Sequence, residues 1–205
     1  MMLHPIRVVI FDVGGVLTAE TDAALREDIQ RTLGIPPQLF SECWPGLTDL
    51  FGRGIITEEE FWEQMVAAGR AANPLPAESL LMREFLRGFQ RNEEVFGLVE
   101  RLRAANYRTA ILSNTIAPHA AYHQEHGTYT GFDPVILSHQ VRMRKPAANI
   151  FAHALTTLGV QPAEAVLVDD LKNNILGARA NGMHAIFFQN AAQLEVGLQK
   201  LGLVF

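Results

Sequence analysis

The chain has one cysteine in 205 residues, Cys43, which excludes an intramolecular disulfide framework and suits a reducing compartment. It lacks any apolar run long enough to span a bilayer, the longest being of strand length. It also lacks a basic patch. Seventeen lysines and arginines stand against 22 acids, for a formal net charge of −5, and the basic residues are scattered. A nucleic-acid partner is therefore not expected, and an anionic ligand would have to be held by local charge. No basic stretch, apolar stretch and cleavage site precede the first strand-like run, so the expectation is a cytoplasmic protein with no membrane partner. At 48% hydrophobic and 19% charged residues, nothing points to disorder. The length suits one mid-sized domain, or a core carrying a modest insertion. The oligomeric state is not legible.

Five short β-rich runs are present, at 8–12, 108–113, 134–138, 165–169 and 184–189. Their apolar residues are consecutive instead of alternating, as in parallel strands covered on both faces. Helical patterns separate the later runs. Residues 92–106 place Val95, Phe96, Val99 and Leu102 on one face; 146–158 opens on a proline and ends at Gly159; 171–180 ends at Asn181-Gly182. This alternation predicts an α/β fold, a doubly wound, parallel, five-stranded Rossmann-like sheet. The first gap breaks the rhythm, since roughly ninety residues separate the first two strands, far more than a crossover needs. That segment reads as helices only, at 21–33, 37–43, 57–72 and 77–89, with a capping-box pattern at "TEEE" (57–60) and loops at "GIPP", "WPG", "GRG" and "NPLP". The expected organisation is a core of residues 1–17 and 92–205, with a small helical bundle, 18–91, inserted after the first strand.

Ligands of open α/β sheets bind at the carboxyl ends of strands, near the point where strand order reverses. The first strand ends in Asp12, the second in Ser113-Asn114, and the fourth in Asp169-Asp170 with Asn174 following. The loop after the third carries "RMRKP", with Lys145 before a helix. Singly, each has an ordinary reading: a turn aspartate, a helix cap, a solvated lysine. Three acids, a hydroxyl, an amide and a lysine on one edge are hard to explain by packing.

Four segments, "FDVGGVL", "LSNT", "RKP" and "VDDLKNNILGA", resemble in order the motifs of the haloacid dehalogenase (HAD) superfamily of hydrolases, and the helical insert lies where that superfamily places its first type of cap. The "DxGG" opening and "SNT…H…MRKP" most resemble a branch of small sugar-phosphate phosphatases similar to α-D-glucose-1-phosphatase. The resemblance implies a magnesium-dependent phosphomonoester hydrolase acting on a small phosphorylated metabolite, with a sugar 1-phosphate as the expected substrate. Asp12 matches the nucleophile, which forms an aspartyl-phosphate. Asp12, the Gly14 backbone carbonyl and Asp170 match the Mg2+ ligands, with Asp169 beside them. Ser113, Asn114 and Lys145 match the groups on the transferring phosphoryl oxygens, and Asn174 the support of the acidic loop. One departure stands out: most phosphatases of this superfamily have an aspartate where this chain has Gly14. Two alternatives stay open, a haloacid dehalogenase using the same Asp12, and a non-catalytic phosphate-binding protein.

His119, His123 and His126 in "HAAYHQEHG" invite a zinc reading, but no third protein ligand or supporting shell is evident. His119 is a candidate substrate contact, and His123 and His126 read as surface residues. Trp44 and Arg53, in expected loops of the insert, are further substrate candidates. The phenylalanines of "AIFFQ" read as sheet core.

Overall fold

The computed structural model describes residues 5–19 and 22–205, with the backbone alone at 22–25 and 84. The start of the helix expected at 21 and the first four residues of the expected core lie outside the described residues. In chain order the elements are β1 (Val8–Phe11), β2 (Thr18–Ala19), α1 (Asp22–Leu33), α2 (Pro37–Gly52), α3 (Glu58–Gly69), α4 (Leu80–Gly88), β3 (Gln90–Arg91), α5 (Glu93–Ala104) and β4 (Arg108–Ser113). There follow α6 (Ala117–Glu125), β5 (Val135–Leu137), α7 (Ser138–Val141), α8 (Ala148–Leu158), β6 (Ala165–Asp169), α9 (Lys172–Ala180), β7 (His184–Phe187) and α10 (Ala191–Lys200).

Five strands form one parallel sheet in the order β5-β4-β1-β6-β7. The chain builds outward from β1 through β4 and β5, then returns to the other side of β1 for β6 and β7. The reversal therefore falls beside β1, whose neighbour in register at Phe11 is Val168. Consecutive apolar residues serve opposite faces. Val9, Phe11, Ile111 and Val168 pack with Val95, Val99 and Leu102 of α5 and Leu194 and Leu198 of α10. Val8, Ile10, Leu112 and Leu167 pack with Ile150 and Phe151 of α8 and Ile175 of α9. Helix α8 starts at Ala148, with Pro146 just before it instead of in its first turn. Helices α6 and α10 were not foreseen.

The insert has its own apolar cluster, centred on Phe61, which is fully buried. Phe61 stacks on Phe51 at 5.1 Å and meets Trp44 and Trp62 edge-on at 6.1 and 4.9 Å. Helix α3 begins as the sequence predicts: Thr57 Oγ1 accepts from the Glu60 amide and the Glu60 carboxylate accepts from the Thr57 amide. The loop expected at "WPG" is instead the middle of α2, with Pro45 inside the helix. A mid-helix proline costs about 3 kcal/mol. Burying Phe40, Leu47 and Phe51 on one face of that helix returns roughly 1.5–3 kcal/mol each, which outweighs it.

The two chain crossings between insert and core are not free connections. They pair as a short antiparallel ladder, Thr18 opposite Arg91 and Ala19 opposite Gln90, reinforced by Asn92 Nδ2 donating to the Val16 carbonyl at 3.1 Å. Two-residue strands carry no readable periodicity. Among the described residues no helix is long and apolar enough to cross a membrane. Because Phe61 joins α2 to α3, Phe61→Ala should lower unfolding free energy by about 3–5 kcal/mol, measured by urea denaturation. A loss under 1 kcal/mol would mean that the cluster does not depend on this ring.

Candidate active site

Asp12 follows β1 directly, its amide donating to the Val168 carbonyl of β6 at 2.9 Å. That bond fixes the carboxylate beside the end of β6, where Asp169 sits. Lys145 reaches between them, its Nζ 2.9 Å from Asp12 Oδ2 and 2.7 Å from Asp169 Oδ2. All three are buried. Asp169 also accepts from Asn174 Nδ2, at 3.0 and 3.1 Å on its two oxygens, and from the Leu171 amide at 2.9 Å. The Lys145 backbone is clamped in turn. Its amide donates to Asn114 Oδ1 and its carbonyl accepts from Asn114 Nδ2, both at 2.9 Å. The Asn114 side chain thus holds the lysine's main chain, while Ser113 lies buried at the end of β4.

Burial drives the Asp12 carboxyl up to about 7 against the pull of the Lys145 ammonium, and the Asp169 carboxylate adds to the rise. For Lys145 burial works against the charge, but Asp12 and Asp169 outweigh it and raise it above the ordinary lysine value. Ligand oxygens of Asp12, Asp169 and Asp170 all lie within 4.8 Å of one another. The approach of Asp170 needs a residue without a side chain opposite it. A Cβ on Gly15 would stand 2.2 Å from Asp170 Oδ2, and Gly15 has φ +74°, a conformation L side chains rarely adopt. A close set of hard oxygen donors, already carrying one compensating cation, fits a magnesium-like divalent ion.

Above this floor lies a cavity of about 400 Å³. From the core it is lined by Asp12, Gly14, Asn114, His119, Asp170 and Asn174, and from the insert by Arg26, Trp44, Phe51 and Leu81. Trp44 lies on α2 and not in a loop; it stacks on Phe40 at 5.0 Å and presents its edge to Phe61. Arg53 is not among the lining residues. It caps α2 and pairs with Asp49 at 2.6 Å. Two lining cations escaped the sequence reading. Arg144 adjoins Lys145 in "RMRKP", and its place beside the lysine was the available signal. Arg26, on α1, had no signal beyond lying in the insert.

The histidines divide. His119 lines the cavity, stacked on Phe85 of α4 at 4.2 Å, with Nε2 3.4 Å from the Leu81 carbonyl. His123 is buried, which corrects its reading as a surface residue. It packs against Phe85, Phe89 and Tyr129 with Nδ1 3.2 Å from Thr128 Oγ1. Two of the aromatic partners of His123, Phe85 and Phe89, come from α4 and its end, far away in sequence, so its local pattern gives little hint. His126 is exposed and stacks on Tyr122 at 3.8 Å. Among the described residues, the one cluster of possible metal ligands is the aspartate set and not these histidines.

Burial lowers both His119 and His123 to about 4, with the neighbouring histidines also acting against charge on His123. Both are therefore neutral in the folded protein near pH 7. Their folded values lie below the unfolded value of about 6.5, so the stability they contribute is present above that pH and lost as pH falls towards 4. Urea unfolding at pH 7, 5.5 and 4.5 should show a fall that His123→Phe makes shallower. An unchanged slope in the variant would exclude a buried neutral His123.

A family model described as haloacid dehalogenase-like hydrolase matches residues 6–182. The sesquiterpene phosphatase astK of Aspergillus oryzae is 24% identical over 98% of this chain and 98% of its own. The drimenol cyclase drtB of Aspergillus calidoustus is 26% identical over 93% of this chain, but the chain spans only 35% of its length. The HAD family enzyme BT-2542 from Bacteroides thetaiotaomicron superposes with a TM-score of 0.78 at 20% identity, covering 91% of this chain and 95% of that one. The same enzyme has been solved with magnesium and inorganic phosphate, where the TM-score is 0.73.

Proposed function

The chain belongs to the haloacid dehalogenase-like hydrolases, and on that premise we propose that it is a magnesium-dependent phosphomonoesterase working through an aspartyl-phosphate on a sugar 1-phosphate. The observation that carries the reading is the buried Lys145 ammonium held between Asp12 and Asp169, with Asp170 beside them, at the floor of a cavity. Asp12, Asp170 and the Gly14 carbonyl would hold the magnesium ion, whose charge lets a carboxylate approach a phosphate dianion. Asp12 attacks phosphorus and the bond to the leaving oxygen breaks, its electron pair departing with the sugar. Water then attacks the phosphorus of the aspartyl-phosphate, freeing phosphate and returning Asp12. Lys145, with Ser113 and the Asn114 main chain, stabilises charge developing on the phosphoryl oxygens. Asn174 and the Asn114 side chain keep Asp169 and Lys145 in place.

The substrate class follows from Gly14, which lines the cavity without a side chain to protonate the leaving oxygen. Such general acid help is worth ~10²–10⁴-fold. An oxygen on an anomeric carbon needs it less, because the ring oxygen withdraws electrons and lowers its pKa. The lining of Trp44, Phe51 and Leu81, together with the likeness to a sesquiterpene phosphatase, favours a second reading, a terpenyl monophosphate. A dehalogenase would not need three clustered acids, and a non-catalytic binder would not need the nucleophile.

Phosphate release should be measured across glucose 1-phosphate, glucose 6-phosphate, farnesyl phosphate and aryl phosphates of graded leaving-group pKa. The expected result is a steep dependence on leaving-group pKa, with glucose 1-phosphate well ahead of glucose 6-phosphate. Equal efficiency on the two sugars would sink the leaving-group argument, and a preference for farnesyl phosphate would select the second reading.

Asp12→Asn should fold and lose turnover altogether, since an amide is a poor nucleophile, and chelation should silence the parent enzyme. Substantial phosphatase activity in clean Asp12→Asn protein would end the covalent mechanism. Full activity in EDTA would end the metal-dependent one.

A further inference from the structure

The charges around the cavity are separated. Its floor is acidic, with three aspartates and one lysine. Its lining cations are Arg26 from α1 and Arg144 from the loop before α8, the former on the insert and neither within the aspartate cluster. A divalent ion of the kind proposed would balance the floor, leaving these two cations to face whatever the substrate brings.

Neither guanidinium is fully committed within the protein. Arg144 Nη1 is 3.6 Å from Asp49 Oδ1 and 3.3 Å from the Thr48 carbonyl. Asp49 gives its shorter bond, 2.6 Å, to Arg53. Two guanidiniums therefore share one carboxylate, and Arg144 has the looser half. Arg26 is exposed, with its guanidinium carbon 6.0 Å from the centroid of the Trp44 ring, and among the described residues no carboxylate pairs with it. Guanidinium groups present several N–H donors suited to carboxylate and phosphate oxygens. Trp44 offers an indole to pack against a sugar ring and sits beside Arg26 on the same wall.

We infer that the preferred substrate carries a second anionic group on its leaving group, a carboxylate or second phosphate, bound by Arg26 and Arg144 beside Trp44. The inference rests on the sugar 1-phosphate reading and narrows it to an acidic sugar phosphate, such as a sugar bisphosphate or a uronic acid 1-phosphate. Were these cations there only to offset the transferring phosphoryl group, neutral and acidic sugars would benefit alike.

The test compares glucose 1-phosphate, glucose 1,6-bisphosphate and glucuronic acid 1-phosphate, which share an anomeric leaving oxygen. Cleavage at the anomeric position is followed by phosphorus NMR. Both acidic substrates should exceed glucose 1-phosphate in kcat/KM by on the order of 10-fold or more, mostly through KM. Arg26→Gln and Arg144→Gln should each move that ratio towards one, and Arg144→Lys should restore part of it. Arg26 is exposed and lines the cavity, so its replacement reports on binding without threatening the fold. A ratio near one in the parent enzyme, or one that survives both glutamine variants, overturns the inference.

Calorimetry on the Asp12→Asn protein separates this from failure of the phosphatase reading. If no ester is turned over, that reading fails. Tighter binding of the bisphosphate than of glucose 1-phosphate, lost in an added Arg144→Gln change, would still establish the second anion site. Equal binding of the two would overturn it independently of turnover.

Discussion

The arrangement on which the rest depends is one lysine ammonium buried without solvent contact between two carboxylates, Asp12 at 2.9 Å and Asp169 at 2.7 Å. Removing three charges from water costs several kcal/mol per ion, and their mutual attraction rarely returns more than that. As a device for stability it is a poor choice. It becomes intelligible as a site held ready for more positive charge and for a phosphate. Much of the nearby polar structure serves to keep it in register: Asn114 grips the lysine backbone at both ends, Asn174 and the Leu171 amide fix Asp169, and the Val13 amide donates to Asp12. A misplaced partner would leave a buried charge unpaired, so the strand ends that deliver these residues have little freedom to move.

That constraint explains why the floor of the site was legible in the sequence. Asp12, Ser113 and Asp169 each close a buried strand, and runs of consecutive apolar residues mark such strands plainly. Strand β4 begins and ends where the pattern places it, and so does β6. The insert was harder to read. Pro45 and Gly46 look like a loop, yet they lie in a helix because Phe40, Leu47 and Phe51 bury on one side of it. His123 looks like a surface residue in "HAAYHQEH", yet aromatic rings from α4 and from beyond α6 enclose it. In each case a long-range contact overrides the local signal, and such contacts leave no periodic trace.

Among the described residues, three unlike seams help to fasten the insert to the core. One is the paired ladder of β2 and β3. Another is the stack of Phe85 and Phe89 from α4 and its end against His119, Tyr122 and His123 of α6. The third joins the end of α2 to α7 and the loop after it, where Ser138 Oγ donates to the Gly52 carbonyl at 2.6 Å and Arg144 reaches Thr48 and Asp49. Gly54 is required there: with φ +61°, a side chain on it would stand 2.3 Å from the His139 carbonyl oxygen. The same short stretch that carries Lys145 to Asp12 thus carries Arg144 to the insert. Movement of the cap would be felt directly at the residue next to the buried lysine.

The two adjacent glycines show how chemistry and geometry divide the work. Gly15 is fixed by space, since its left-handed backbone and the oxygen of Asp170 leave no room for even a methyl group. Gly14 borders the cavity at the position where most phosphatases of the superfamily carry an aspartate, and it has no side chain to protonate a leaving group. In the proposed mechanism, the floor would attack phosphorus and stabilise the oxygens around it, but Gly14 would give a poor leaving group no acid to depart with. On that proposal, discrimination among substrates would come from two sources, the intrinsic readiness of the leaving oxygen and the cap wall that holds what is attached to it. On the proposed function, the floor would determine the reaction, and the wall of Trp44, Arg26 and Arg144 would select the molecule that undergoes it.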